Sequence, residues 1–145
     1  HQAAFYRTAR SILRNEQDVA DAVQEAICLG YAARSNLRDP QRWKAWMLRI
    51  LVNVCYTTCR RRPNAVDLEA VQEYLAAPAQ DQTERLTLWE AVSRLPEQMR
   101  ITVSLFYYED LSVGQISRIL KISQGAVRTR LSRARDQLRA LLEEE

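Results

Sequence analysis

Apolar side chains recur every three to four residues near the carboxyl end of the chain, which predicts two consecutive amphipathic helices over residues 111–142. Ser112 is placed to cap the first helix and Ser123 the second. The small or flexible segment 124–126 favours a tight corner between them. The expected core positions are Leu111, Ile116, Ile119, Leu120, Ile122, Val127, Leu131, Ala134, Leu138 and Leu141.

The opposite face of the second helix carries guanidinium groups and short hydroxyls about one turn apart. Such a face suits entry into the DNA major groove, where it reads base edges. Asp136 is the only acid between Arg118 and Arg139, whereas solvated helix faces usually interleave both signs. The pattern predicts a helix-turn-helix, with a solvated basic face on an ordinary helical hairpin as the alternative. The face consists of Arg128, Thr129, Ser132, Arg133 and Arg135.

Helical periodicity also predicts helices over 5–14, over 19–35 and from Trp43 to about residue 62, with a polar loop at 36–41 interrupted by a proline. The expected buried residues of the second of these helices are Val19, Ala22, Val23, Ala26, Ile27 and Tyr31. Those of the third are Trp43, Trp46, Met47, Ile50, Leu51 and Val54.

Acidic and amide side chains gather on the predicted outer face of the second helix, at Asp18, Asp21, Gln24 and Glu25. An acidic first turn complements the helix dipole, which is a purely structural explanation. The functional alternative is a docking patch for a basic or amide-rich partner.

The third helix combines two tryptophans near its start with basic residues along its length and an arginine triplet at 60–62. Aromatic planes stack on unpaired bases, asparagine pairs with base edges, and arginine holds phosphates, so this helix is a candidate for binding single-stranded nucleic acid. The structural alternative places both tryptophans in the core. The polar positions of this third helix are Lys44, Arg49, Asn53, Thr57, Arg60 and Arg61.

Residues 63–82 contain two prolines, several alanines and a cluster of acids, which predicts a flexible linker with at most one short helix. Fully extended, about 20 residues reach roughly 70 Å, or about two turns of duplex. Beyond it, amphipathic segments at 84–95 and 96–108 precede the helix-turn-helix, and Met99, Val103, Phe106 and Tyr107 are expected to face inward. The expected organisation is therefore two small helical domains, 1–62 and 83–145.

Composition supports an all-α protein, because 47% hydrophobic residues can form a core while three glycines and four prolines in 145 residues are too few for a turn-rich β fold. The net charge of +3 is modest, but basic residues cluster at 60–62 and 118–139, which points to a polyanionic partner. With no signal peptide and no apolar run of about 20 residues, we expect a cytoplasmic protein without membrane insertion.

Metal and catalytic chemistry find little support in the sequence. Cys28, Cys55 and Cys59 are odd in number and lack the spacing of a zinc ribbon, although Cys55 and Cys59 lie one helical turn apart and, with His1 or Cys28, form an alternative metal set. The chain offers no catalytic carboxylate cluster and no phosphate-binding glycine loop. We expect neither enzymatic activity nor a cofactor or metal.

The segments LPEQMR, LFYYEDLSVGQISRILKISQGAVRTRLSRARDQLR, DVADAVQEAI and WKAWMLRILVN together resemble the extracytoplasmic-function (ECF) group of the sigma-70 family, and the resemblance covers nearly the whole chain. It implies a bacterial sigma factor that directs RNA polymerase core to promoters, with a cognate anti-sigma protein as a further partner. Two departures are Ala126, where the family usually has threonine, and Gly114 with Ser117, where it prefers acidic and alanine residues.

The resemblance implies a role for each matched segment. Asp21, Gln24 and Glu25 would dock on the clamp helices of the largest polymerase subunit. The unwound −10 element would be held by Arg38, Asp39, Trp43, Lys44, Asn53, Arg60 and Arg61. The −35 element would be read by Arg128, Thr129, Ser132 and Arg133, with Gly125, Ala126 and Arg135 near phosphates.

Three other functions stay open at this point. A dimeric helix-turn-helix repressor would use the same basic helix but needs palindromic half-sites about one turn apart. A nuclease or recombinase would need the catalytic groups that are missing. A pure protein-interaction module would leave the basic faces unexplained.

Overall fold

The computed structural model describes residues 2–61 and 87–143, and every regular element in these ranges is helical. The helices are α1 (Gln2–Ile12), α2 (Glu16–Ala32), α3 (Trp43–Arg61), α4 (Leu88–Ser93), α5 (Glu97–Val103), α6 (Val113–Leu120) and α7 (Gln124–Glu143). The 3₁₀ turns Arg34–Asn36 and Pro40–Arg42 join α2 to α3, and a π-helical turn, Ser104–Tyr108, extends α5.

These elements confirm the all-α prediction, with α1–α3 in an amino-terminal lobe (2–61) and α4–α7 in a carboxyl-terminal lobe (87–143). The predicted linker, 63–82, and its possible short helix lie outside the described residues.

Helix α2 begins earlier than its apolar pattern predicted. The Asn15 side chain accepts hydrogen bonds from the main-chain N–H groups of Gln17 (2.8 Å) and Asp18 (3.1 Å), and so caps a helix that starts at Glu16. Asp18 therefore lies in the first turn and is buried, so its predicted position on the outer face was wrong.

The buried stripe of α2 ends sooner than predicted. Ile27 is 40% exposed and Tyr31 is 68% exposed, so their assignment to the core was wrong. The close contact instead passes through Gly30, where an added Cβ atom would overlap the Met47 side chain of α3. The two helices can approach at this position because glycine has no Cβ atom to fill the space.

Helix α3 is buried on more than one side. Met47, Leu51 and Val54 are buried as predicted, while Trp43, Trp46 and Ile50 are only partly buried. The core also receives Leu48, Val52 and Cys55, which the sequence pattern did not indicate. The reason is that α3 packs on α1 and α2 and also on α6, so no single stripe describes its contacts.

The π-helical turn changes which residues of the α5 segment face inward. The Glu109 N–H donates to the Ser104 carbonyl, five residues back, at 3.1 Å, and this wider turn rotates the following side chains. Val103 is buried as predicted, but Tyr107 is 46% exposed and Leu105 takes an inward position. The prediction that Tyr107 faces inward was wrong for this reason.

The helix-turn-helix forms with both predicted serine caps. Ser112 and Gln115 make a reciprocal capping box at the start of α6, and the Ser123 hydroxyl accepts from the Ala126 N–H at 3.0 Å. The corner, however, lies at Lys121, whose φ of 59° is left-handed. Because the Ser123 cap starts α7 at once, segment 124–126 forms the first helical turn, and its predicted role as the corner was wrong.

The two lobes pack on each other and share one hydrophobic cluster. Helix α1 contacts α5 and the π turn, and α3 contacts α6. The buried Arg100 donates to the carbonyl oxygens of Ser11 (2.6 Å) and Leu95 (2.9 Å), and Arg14 donates to the Ser93 carbonyl (2.9 Å). Polar contacts thus join the lobes around an apolar centre.

Candidate nucleic-acid interface

Helix α7 separates an apolar side from a cationic side, as its sequence pattern predicted. Val127, Leu131 and Ala134 are buried, with Leu138 and Leu141 partly buried. The predicted DNA-facing residues Arg128, Thr129, Ser132, Arg133 and Arg135 are all exposed. The packing of the helix therefore leaves these donors and acceptors available to a duplex.

Local hydrogen bonds orient part of this face. The Thr129 hydroxyl donates to the Gly125 carbonyl at 2.9 Å, and an Arg128 Nη atom lies 3.4 Å from the Gln124 side-chain oxygen. An Arg135 Nη atom donates to the Tyr107 hydroxyl at 2.9 Å. The sequence pattern gave no sign of the Tyr107 contact, because the π turn that exposes this ring leaves no signature in periodicity.

The start of α7 holds the two small residues predicted near phosphates. Gly125 is exposed and Ala126 is partly buried. The Ala126 N–H already donates to the Ser123 hydroxyl. Ala126 therefore contributes mainly space for a phosphate, because its side chain is short. Helix amino termini favour anions, which is consistent with a phosphate near Gly125.

The loop between α2 and α3 is shaped by Asp39 and Pro40. The Asp39 carboxylate accepts from the Gln41 N–H at 3.0 Å, and Pro40 opens the 3₁₀ turn. Arg38 and Asp39 are exposed, and Arg42 lies 3.8 Å from the Asp39 carboxylate. The loop is thus held in place by its own polar side chains.

A cleft of about 610 Å³ lies between this loop and α6. Arg38, Arg42 and Arg49 line it from the amino-terminal lobe, together with Trp46, and Arg118 lines it from α6. Four guanidinium groups against the single acid Asp39 make the cleft cationic. An aromatic ring beside several arginines suits an anionic ligand with a stacking surface, such as an unpaired nucleotide.

The remaining predicted −10 residues fall into two groups along α3. Trp43 and Lys44 lie at its start, where Trp43 is partly buried with its ring centroid 5.8 Å from that of Phe5. Asn53, Arg60 and Arg61 are exposed farther along, about 25 Å away at the far end by helical rise. Lys44 therefore follows the loop in sequence without lining its cleft, and the two arginines lie at a separate position.

Lys44 is already engaged. Its Nζ donates to the Glu109 carbonyl at 2.9 Å and lies 3.5 Å from the Glu109 carboxylate. Glu109 belongs to the carboxyl-terminal lobe, so a predicted DNA-binding cation contacts the other half of the protein.

The predicted polymerase-docking residues form one exposed patch on α2. Asp21, Gln24 and Glu25 are spaced three and four residues apart, and all three are exposed. The Gln17 amide donates to the Asp21 carboxylate at 2.9 Å. Leu29, 46% exposed, lies one turn beyond Glu25 and adds exposed apolar surface that the sequence pattern did not single out.

The cysteines do not form a metal centre within the described residues, where no three potential ligands of the histidine, cysteine and acidic types lie together. Cys28 is exposed, Cys59 is partly buried and Cys55 is buried. Burial raises the pKa of the Cys55 thiol to about 12, so this group stays protonated at neutral pH. Within the described ranges, no helix has both the length and the apolar character needed to cross a membrane.

Comparisons with known proteins match both halves of the chain. A family model described as Sigma-70 region 2 matches residues 1–64, and one described as Sigma-70, region 4 matches residues 85–138. The RNA polymerase sigma factor SigV of Bacillus subtilis is 31% identical over 147 residues, which cover 100% of this chain and 88% of that protein. The ECF RNA polymerase sigma factor SigM of Mycobacterium tuberculosis is 31% identical and covers 98% of this chain and 73% of its own length.

Two solved structures share the fold. The sigma factor RpoE from Bartonella quintana, in complex with the anti-sigma factor NepR, has a TM-score of 0.74 at 23% identity and covers 97% of this chain and 91% of its own. CnrH, in complex with the cytosolic domain of CnrY, has a TM-score of 0.66 at 29% identity, with coverages of 100% and 84%. Two family matches in the order of the lobes, with relatives similar over the whole chain, show that this protein belongs to the ECF group of the sigma-70 family, the sigma factors that direct RNA polymerase to promoters.

Proposed function

We propose that promoter recognition is divided between two domains, residues 1–62 for the −10 element and the polymerase and residues 83–145 for the −35 element. The observation that carries this division is the exposed basic and hydroxylated face of α7, opposite its buried stripe. A different surface lies in the cationic cleft between the loop that precedes α3 and α6, where arginines of both lobes lie near Trp46. The first surface suits paired bases and the second suits unpaired ones.

On the duplex side, α7 enters the major groove with its exposed face toward the bases. Arg128 and Arg133 provide the forked donors that suit guanine O6 and N7, and Thr129 and Ser132 provide shorter contacts. Arg135, which donates a hydrogen bond to the Tyr107 hydroxyl, contacts a phosphate and so fixes the position of the helix along the DNA. Gly125 and Ala126 allow the backbone at the start of α7 to approach a second phosphate.

On the single-stranded side, the loop 38–41 and the start of α3 hold unpaired bases of the −10 element. Asn53 reads a base edge, Trp43 supplies apolar surface, and Lys44, Arg60 and Arg61 neutralise phosphates. Arg38 and Asp39 shape the mouth of the cleft. Unstacking costs a few kcal/mol per base and stacking recovers roughly 1–3 kcal/mol, so polymerase contacts contribute the remaining free energy of melting.

The patch formed by Asp21, Gln24 and Glu25 docks on the clamp helices of the largest polymerase subunit. The sigma factor works in the cytoplasm, where this polymerase is, and makes or breaks no covalent bond. A cognate anti-sigma protein regulates it, in keeping with the anti-sigma complex in which the structurally similar RpoE was solved.

Promoter-dependent transcription with purified core polymerase tests this function. Core enzyme alone initiates without promoter selectivity, and addition of this protein should produce run-off transcripts from cognate promoters. Binding to palindromic duplexes as a dimer, without transcripts, would instead support a repressor and overturn the proposal.

A further inference from the structure

The cleft between the loop 36–39 and α6 has the size of a small-molecule site. Its volume of about 610 Å³ lies within the range of about 300–1,000 Å³ that is usual for such sites. Both of its walls carry cationic, polar or aromatic side chains. These are Arg38, Trp46 and Arg49 from the amino-terminal lobe and Ser112, Gln115 and Arg118 from α6.

The positive charge of this cleft is only partly neutralised by the protein itself. Arg42 lies 3.8 Å from the carboxylate of Asp39, the acid on the cleft wall. Among the described residues, no carboxylate forms an ion pair with Arg38, Arg49 or Arg118. Guanidinium groups repel one another, so an anion placed among them would be attracted by all of them.

An aromatic surface lies beside these charges. The Trp46 side chain lines the cleft and packs against the hydrophobic core, so its ring is held in place. Nucleic-acid bases stack on such rings whatever their sequence. On the other wall, Ser112 and Gln115 form the capping box that begins α6, and the positive end of the helix dipole adds to the attraction for an anion.

We propose that this cleft binds a free nucleoside polyphosphate, with its base on Trp46 and its phosphates among Arg38, Arg49 and Arg118. A ligand of this class combines the two features that the cleft accommodates, a planar base and several negative charges. An inorganic phosphate would leave the indole surface unused, and an acidic peptide has no base to stack on it. Because α6 closes one side of the cleft, a single small molecule fits it more readily than a continuous strand.

The bound nucleotide would regulate the capture of unpaired DNA. Arg38 belongs to the loop proposed to hold bases of the −10 element, so the nucleotide and the strand would compete for the same side chain. This consequence rests on the proposed function, whereas the nucleotide site itself does not. Arg118 separates the two ligands, because it comes from α6 and has no part in the proposed −10 surface.

Isothermal titration calorimetry of the full chain with ATP measures the affinity of the site. Adenosine and inorganic tripolyphosphate are the comparison ligands, since each carries only one of the two features. Arg118→Met removes a charge from the α6 wall, and its control is Arg94→Met, at an exposed position of the same lobe. Arg49→Met removes a charge from the opposite wall, and its control is Arg10→Met, also at an exposed position of its lobe. All four variants lose one positive charge, so their general attraction for anions falls equally.

ATP should bind about tenfold more tightly than tripolyphosphate, because base stacking adds to the phosphate contacts, and more tightly still than adenosine. Arg118→Met and Arg49→Met should each bind ATP about tenfold more weakly than their controls, because each loses a charge-assisted hydrogen bond. Circular dichroism checks that the variants are folded. In fluorescence anisotropy, ATP should displace a labelled DNA single strand from the unaltered chain and should need a higher concentration to do so in Arg118→Met.

Three results would contradict the proposal. Equal affinity for ATP and tripolyphosphate would show that no base stacks in the cleft. Equal loss of affinity in the cleft variants and their controls would show that ATP responds to net charge and does not occupy the cleft. Retention of the strand at saturating ATP would exclude the competition. None of these results affects promoter-dependent transcription, and its failure would overturn the proposed function while leaving the nucleotide site in place.

Discussion

The Arg100 guanidinium of α5 donates to the main-chain oxygen of Ser11 at 2.6 Å, joining two residues that lie 89 positions apart in sequence. A second hydrogen bond joins the same side chain to the Leu95 carbonyl, in the turn before α5. Arg100 is only 6% exposed, so the carbonyl oxygens that it serves have little access to water. The Arg100 side chain therefore satisfies main-chain carbonyl groups both at the carboxyl-terminal end of α1 and in the turn before α5.

Replacement of Arg100 by methionine should destabilise the protein by about 2–4 kcal/mol, because it leaves buried carbonyl groups unpaired. Urea unfolding followed by circular dichroism measures the change. Arg94→Met, at an exposed position of the same lobe, should shift stability by no more than about 0.5 kcal/mol. Equal effects of the two substitutions would show that the Arg100 contacts contribute little to stability.

Stability should fall at alkaline pH through Tyr56. Burial, with a further contribution from Glu97, raises the pKa of the Tyr56 hydroxyl from 10.0 to about 12. A raised folded-state pKa means that folding favours the neutral phenol, so the contribution is complete below pH 10 and is lost as pH rises toward 12. Denaturation midpoints measured at several pH values in this range give the slope of stability against pH.

Tyr56→Phe should reduce that alkaline loss, because it removes the ionisable hydroxyl. Part of the slope should persist in Tyr56→Phe, because the Cys55 thiol has its pKa raised in the same direction, from 9.0 to about 12. If the slope of stability against pH were the same in Tyr56→Phe, ionisation of the Tyr56 hydroxyl would not destabilise the folded protein.

Thiol reactivity should distinguish Cys28 from Cys55. Thiolate is the reacting species, and a pKa of about 12 leaves Cys55 with a thiolate fraction at neutral pH about a thousandfold below that of an ordinary cysteine. Ellman's reagent should therefore label the exposed Cys28 rapidly and Cys55 only in denaturant. The fast phase should vanish in Cys28→Ser, and its persistence there would place a reactive thiol elsewhere.

Arg133→Ala should weaken binding to a cognate −35 duplex by about 1–3 kcal/mol and relax discrimination at one base pair. The reason is the loss of a forked donor from the centre of the exposed α7 face. Arg94→Ala removes the same charge outside α7 and serves as the control. Equal weakening on every duplex sequence would indicate a phosphate contact in place of base reading.

Replacement of Gln24 and Glu25 by arginine should abolish co-purification with core polymerase. Both side chains are exposed, so the fold should be preserved and the circular dichroism spectrum unchanged. The matched control replaces Gln137 and Asp136, exposed residues of α7, by arginine. Continued core binding by the α2 variant would refute the docking assignment.

The site residues differ in how far the sequence could predict them. The exposed face of α7 was predictable because helical spacing alone separates it from the buried stripe. The loop at 38–41 was predictable as a loop, but its cleft requires α6, which lies some 70 positions later in the chain. The support that Tyr107 gives to Arg135 was not predictable, since it depends on a π turn that leaves no trace in the pattern of apolar residues.

By itself the sequence determined the helices, the serine caps of the helix-turn-helix, the basic face of α7 and the family, because each is encoded by residues within a few turns of one another or by motifs read in order. Only the tertiary structure decided that α3 is buried on several sides, that Tyr107 is exposed and that Lys44 faces Glu109 in the other lobe. Periodicity records that a face is apolar but not which distant surface covers it. Which surface covers an apolar face depends on the packing of whole lobes, where the surfaces must fit in shape and buried charges must be paired.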